Sequence, residues 1–257
     1  MRNAPIGVFD SGLGGLSVLH ALVEKLPHEN FIYIADQAYT PYGKRSKKEI
    51  VTRSERLTEW LVKQHCKLIV VACNTATTNA ISQLRKNFPI PFVGIEPAIK
   101  PAALGSKTGV VGVLATQGTL TSELFQNTAN DHAKDIQVIS QVGKGLVELV
   151  EAGKANSLEA EIQLKNDLKP MLKHPIDHLV LGCTHYPFLT PVLKRVLPHS
   201  VQIVDCSDAV ARQTEQVLND NSLNNSSGRS IHYYSTAPPD KKLWNSFGVE
   251  HVEIVRI

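Results

Sequence analysis

The chain has 257 residues, of which 42% are apolar and 20% charged, and carries a formal net charge of +3. It is long enough for one large or two modest α/β domains with buried cores, and its composition excludes a disordered chain. The small charge gives no basis for a nucleic-acid binder, because the densest basic run, Lys44-Arg45-Ser46-Lys47-Lys48, reads as a solvated loop and first helical turn.

Short apolar runs alternate with longer amphipathic stretches. Strands are expected at 5–9, 31–35, 68–72 and 91–95, with helices at 13–26, stopped by Pro27, and at 47–64, where Ile50, Leu57, Trp60 and Leu61 form an apolar stripe. The pattern then restarts, with strands at 109–114, 136–139, 178–182 and 202–204 and helices from about 120, around 144–153 and at 157–173. A polar loop is expected from Asn219 to Gly228, followed by a strand at 231–234, a helix near 240–247 and a strand at 252–255. This alternation predicts an α/β fold with mostly parallel sheets covered on both faces. The last segment is too short for a domain of its own and is expected to dock on one of the halves.

Two alignments turn the rhythm into an internal repeat. Ile6-Gly7-Val8-Phe9-Asp10-Ser11 lies over Val111-Gly112-Val113-Leu114-Ala115-Thr116, and the strand ending in Cys73-Asn74-Thr75 lies over the strand ending in Cys183-Thr184-His185. Matching of short apolar strands is common by chance. A cysteine followed by polar residues at the same strand end in both halves is not.

No run approaches the ~18 apolar residues of a membrane helix, and Met1 to Pro5 lack the apolar core of a signal peptide. The expected location is the cytoplasm, where Cys66, Cys73, Cys183 and Cys206 stay reduced. None lies in a C-x-x-C pair, so no zinc site is expected.

In open parallel sheets ligands bind beyond the carboxyl ends of the strands. Asp10-Ser11-Gly12, Cys73-Asn74-Thr75, Thr116 and Cys183-Thr184-His185 all lie there. A substrate between facing halves would meet one thiol on each side, which suits removing a proton from one face of a carbon and delivering one to the other. A lone Cys ending an apolar strand is ordinarily core, and Cys66 and Cys206 are read that way. The glycines of Asp10-Ser11-Gly12-Leu13-Gly14-Gly15 let backbone N–H groups approach an anion at a helix start. The same loop half matches a dinucleotide fingerprint, with Asp36 near the place of a ribose-binding acid. Its third glycine is missing, however, and Asp10 would lie beside the pyrophosphate. Pro41-Tyr42-Gly43 is by itself a turn, and Glu148 and Glu151 share a helix face.

Taken together, these pieces resemble the glutamate racemases of the aspartate/glutamate racemase superfamily. The resemblance rests on the segment from Gly7 to Gly15, on Ala35-Asp36, Pro41-Tyr42-Gly43 and Ala72-Cys73-Asn74-Thr75-Ala76, on Leu146 to Gly153, and on Gly182-Cys183-Thr184-His185-Tyr186-Pro187. It implies two pseudo-symmetric α/β domains facing across a central cleft, 1–96 with 208–257 and 97–207. It implies interconversion of L- and D-glutamate without a cofactor or metal, supplying D-glutamate for peptidoglycan. Cys73 and Cys183 match the catalytic thiols, Asp10 the helper of the first, and His185 and Glu151 the helpers of the second. Ser11, Tyr42, Gly43, Asn74, Thr75, Thr116 and Thr184, with Asp10 and His185, match substrate-holding positions. Many relatives carry proline where this chain has Glu148.

The partner expected is small-molecule glutamate, with no membrane and no required nucleic acid. Oligomeric state stays open, a homodimer included. The unequal helpers predict that the two directions of reaction respond differently to pH and mutation. Aspartate racemisation on the same scaffold and a non-catalytic dinucleotide-binding protein are the alternatives.

Overall fold

The computed structural model describes residues 2–132, 136–226 and 228–257, so Ser227 of the expected polar loop lies outside the described residues. The chain divides into two compact units, Met1–Ile95 with Ser207–Ile257, and Glu96–Cys206.

The first unit begins with β1 (Ile6–Asp10), α1 (Leu16–Lys25), β2 (Phe31–Ala35), α2 (Lys47–Lys63), β3 (Leu68–Val71), α3 (Asn74–Asn87) and β4 (Phe92–Gly94). Strands β1, β2 and β3 are buried along their whole length, as expected of a parallel sheet with helices on both faces. Helix α2 starts where the sequence supplies a capping box. The Ser46 side chain accepts from the Glu49 N–H, and the Glu49 carboxylate accepts from the Ser46 N–H. Its stripe of Ile50, Leu57 and Leu61 is buried.

The second unit holds α4 (Ile99–Gly105), β5 (Val110–Ala115), α5 (Gln117–Leu120), α6 (Glu123–His132), β6 (Gln137–Val142), α7 (Leu146–Glu151), α8 (Leu158–Leu168), β7 (His178–Gly182), α9 (Thr190–Val196) and β8 (Gln202–Val204). The chain then returns to the first unit through α10 (Ser207–Asp220), β9 (Ile231–Ser235), α11 (Lys241–Ser246) and β10 (Glu253–Ile254).

The sheets run β10-β9-β2-β1-β3-β4 and β6-β5-β7-β8, and every strand pair is parallel. The order β2-β1-β3-β4 is reproduced by β6-β5-β7-β8, which is the internal repeat written as topology. The C-terminal tail extends the first sheet through β9, paired with β2.

Helices α3, α4, α9 and α10 were not legible as helices. In α3 the first turns read Asn-Thr-Ala-Thr-Thr-Asn, and β-branched and amide residues are weak helix formers. Tertiary packing of Ala76, Ala80, Ile81 and Leu84 decides it instead. Helix α10 runs on to Asp220, so the expected polar loop starts two residues late. The helix expected from Leu13 begins only at Leu16, because Gly14 and Gly15 belong to the turn.

Candidate active site

In the first unit the register places Phe9 beside Val71, and the Ala72 N–H donates to Phe9 O. The next residues along both strands are Asp10-Ser11 and Cys73. Asp10 is fully buried, and its Oδ1 accepts the Gly12 N–H at 2.9 Å. Gly15 has to be glycine here: a Cβ on it would lie 2.5 Å from the Asp10 Cβ and 2.9 Å from the Tyr33 hydroxyl. The Tyr33 hydroxyl in turn donates to Gly12 O at 2.6 Å, which ties the glycine turn to β2.

Cys73 is the N-cap of α3. Its Sγ accepts the Ala76 N–H at 3.4 Å, and its thiol donates to Ser11 Oγ at 3.8 Å. The start of a helix is where a negative sulfur is favoured. Asn74 and Thr75 form the first positions of α3 and are buried. Neither the Oδ1 nor the Nδ2 of Asn74 has a hydrogen-bond partner among the described residues. A buried amide left so is costly unless a ligand or water meets it.

The turn after β2 brings Tyr42 into the core with 1% exposure. Its phenol donates to Asp36 Oδ2 at 2.6 Å. Burial, followed by the Asp36 charge and hydrogen bond, pushes the phenol's pKa well above its ordinary value. The Tyr42 side chain is thus turned into the protein.

In the second unit Ala115 pairs with Gly182, so Thr116 and Cys183 follow side by side, the counterparts of Ser11 and Cys73. Gly182 allows this approach, since a Cβ there would meet the Ala115 Cβ at 2.7 Å. Thr116 caps α5, its Oγ1 accepting the Thr119 N–H at 3.3 Å. Thr184 is buried in the turn between Cys183 and His185.

The His185 Nδ1 lies 3.8 Å from Cys183 Sγ, and its Nε2 lies 2.6 Å from Glu151 Oε1. Burial by itself drives the imidazole toward its neutral form. The hydrogen bonds to Cys183 and then Glu151 outweigh it, and the His185 pKa lies well above the ordinary value. The Cys183 sulfur and the Glu151 carboxylate thus both favour the protonated imidazole. Of the two glutamates of α7, it is Glu151 that touches His185.

For Cys66 and Cys206 burial is the largest effect. Burial pushes both thiols up to about 12. Among the described residues no group of three or more His, Cys, Asp or Glu comes together to hold a metal ion, and no helix is long and apolar enough to cross a membrane.

Residues 6–214 match the family described as Asp/Glu/Hydantoin racemase. The chain belongs to this racemase family. The racemase, an isomerase, is 51% identical over 218 residues to a glutamate racemase of Herpetosiphon aurantiacus, covering 85% of this chain and 86% of the relative. The glutamate racemase isoform RacE1 of Bacillus anthracis has the same fold, with a TM-score of 0.91 at 29% identity, covering 100% of this chain and 98% of that one. Escherichia coli glutamate racemase, solved with L-glutamate and the activator UDP-MurNAc-ala, gives a TM-score of 0.89 at 35% identity over 98% of both chains.

The dinucleotide alternative is not favoured in this racemase, for two physical reasons. The Gly12 N–H that a pyrophosphate would need is taken by Asp10. Asp36, the proposed ribose acid, is fully buried and accepts from Arg53, Tyr42 and Thr236. Arg53 and Thr236 were not singled out in the sequence. Arg53 did leave a signal: it falls between Ile50 and Leu57 on the buried stripe of α2, where an unpaired charge would not be tolerated.

Proposed function

We propose that this racemase interconverts L- and D-glutamate by a two-base proton transfer at Cα, with Cys73 and Cys183 as the bases and no cofactor. The observation that carries the proposal is the matched thiol. Each unit builds the same four-strand parallel order and follows its third strand, β3 or β7, with a buried cysteine outside any disulfide. The glutamate racemases among its relatives support glutamate as the substrate.

One thiolate removes the α-proton while the other cysteine, as thiol, delivers a proton to the opposite face. From D-glutamate Cys73 takes the proton, and from L-glutamate Cys183 does. Asp10 assists the first thiol and His185 with Glu151 the second. A thiol of ordinary pKa is only a few per cent ionised at neutral pH, so each needs a neighbour to accept its proton as the thiolate forms. The carbanion is met by fixed donors rather than by an electron sink. Asn74, whose amide has both ends unpartnered, suits a substrate carboxylate, as do Thr75 and Thr184. Ser11, the main chain of Tyr42 and Gly43, and Thr116 complete the substrate-holding set, and Asp10 suits the substrate ammonium. Thiols outside disulfides fit a reducing cytoplasm, and D-glutamate made there would feed peptidoglycan synthesis.

The test is racemisation of each enantiomer in D₂O with no added cofactor. Solvent deuterium is expected at Cα of the product, and Cys73→Ala and Cys183→Ala are each expected to abolish turnover. Near-normal racemisation by either variant, or a requirement for pyridoxal phosphate or a metal, rules the scheme out.

A further inference from the structure

Beside Asp10 of the first unit lies a buried ion pair that the chemistry above does not use. Asp36 follows the last residue of β2, and its N–H donates to Asp10 O at 2.8 Å. All of its acceptor capacity is filled. Oδ1 accepts Arg53 Nη2 at 2.7 Å and Thr236 Oγ1 at 2.9 Å, while Oδ2 accepts Arg53 Nε at 2.9 Å and the Tyr42 hydroxyl at 2.6 Å. The side chains are 0% exposed for Asp36 and 4% for Arg53. Arg53 Nη1 donates to the backbone oxygen of Ile257 at 2.9 Å, and its guanidinium sits over the Tyr39 ring, 4.0 Å from the centroid. Thr236 Oγ1 also accepts the Ala38 N–H at 3.1 Å.

Stability alone is a poor account of this arrangement. Replacing a buried ion pair with packed apolar groups is often neutral or stabilising, so the pair by itself is weak evidence for stability. Here, besides the bonds to Asp10 and Ile257, the contacts converge on one segment. Ala38, Tyr39 and Tyr42 are all tied to Asp36, Arg53 or Thr236, and the segment runs straight into Gly43.

We propose that Asp36, Arg53 and Thr236 are positioning residues of this racemase: they hold the Tyr42 phenol inward and thereby fix the main chain of Tyr42 and Gly43 in its substrate-holding conformation. The inference rests on the reading of Tyr42 and Gly43 as substrate-holding. The three residues act through Tyr42 and do not touch substrate. The anchor works from two sides, α2 through Arg53 and the strand-β9 end through Thr236, so loosening either frees the same turn.

The test uses the full chain with Arg53→Lys, Thr236→Val, Tyr42→Phe and the double variant Tyr42→Phe/Arg53→Lys. Lysine keeps the charge but loses the two-pronged geometry. The Michaelis constant for glutamate is expected to rise about tenfold in Arg53→Lys and about threefold in Thr236→Val, with kcat changed less, because a displaced binding turn weakens ground state and transition state alike. The double variant is expected to be no worse in kcat/KM than its weaker parent, since both changes cut one path. A Michaelis constant within twofold of wild type in folded Arg53→Lys, or multiplicative losses in the double variant, overturns the proposal. If Arg53→Lys does not fold, Thr236→Val decides on the same measurement. Cys73→Ala and Cys183→Ala are assayed alongside. If both are inactive and the Arg53 and Thr236 variants behave as wild type, the positioning role alone fails. If either cysteine variant racemises normally, the catalytic reading fails and this inference falls with it.

Discussion

Glu151→Gln tests the second unit's machinery at one atom. The carboxylate lies 2.6 Å from His185 Nε2, with the two side chains 11% and 2% exposed, so solvent screens the contact little. A hydrogen bond between charged groups contributes about 1.5–3 kcal/mol, and a tenfold rate change corresponds to about 1.4 kcal/mol. Glutamine keeps the shape and loses the charge, so kcat/KM is expected to fall about ten- to a hundredfold.

The sign of the pH effect follows from His185. Its proton is held against burial by Cys183 and Glu151. Without the carboxylate, burial is less opposed and the His185 pKa falls. The assay is an NMR titration of the His185 imidazole in the native enzyme. Its midpoint should move to lower pH in Glu151→Gln. Stability should shift as well. The raised His185 contributes stability that is fully present below about pH 6.5 and lost as pH climbs through the folded-state value. The melting-temperature gap between wild type and variant should therefore narrow on the alkaline side.

Thermodynamics also refines the expectation that the two directions differ. Enantiomers are equal in free energy, so kcat/KM must fall equally in both directions, and any asymmetry can appear only in kcat and KM taken separately. An unmoved His185 titration, or kcat/KM within twofold of wild type, would refute this account of Glu151.

Three further outcomes follow from particular contacts. Gly15→Ala puts a methyl group 2.5 Å from the Asp10 Cβ; overpacking of this kind costs about 1–3 kcal/mol, so a lower melting temperature and reduced kcat/KM are expected, and an unchanged melting temperature would contradict the packing argument. At about pH 8, where ordinary thiols begin to ionise, Cys66 and Cys206, pushed up to about 12 by burial, should resist iodoacetamide in the native protein and react once it is unfolded in urea. Lys67→Met strips the cation from buried Glu29. Breaking one side of such a pair costs about 3–5 kcal/mol, read by urea denaturation, and Glu29→Gln added to it should recover part of the loss.

Much of the fold was legible because its signals are local. Runs such as 31–35 and 178–182 are mostly apolar, and both form strands over those same residues. The placement of Cys73 and Cys183 after matching strands followed from the repeat, and the topology carries that repeat in full. Helix α3 was not legible, because its opening polar residues suppress the amphipathic signal and its cap is a cysteine.

What the sequence by itself determined was the succession of strands along the chain, the glycine turn after β1 and the two thiols, all written in stretches of a few residues where period and turn chemistry act. What only the tertiary structure decided were pairings between distant groups. Glu151 reaches His185 across 34 residues and Thr236 reaches Asp36 across 200. No local pattern announces them, since a buried Asp36 and a buried Arg53 are tolerable only once the fold has brought each to the other.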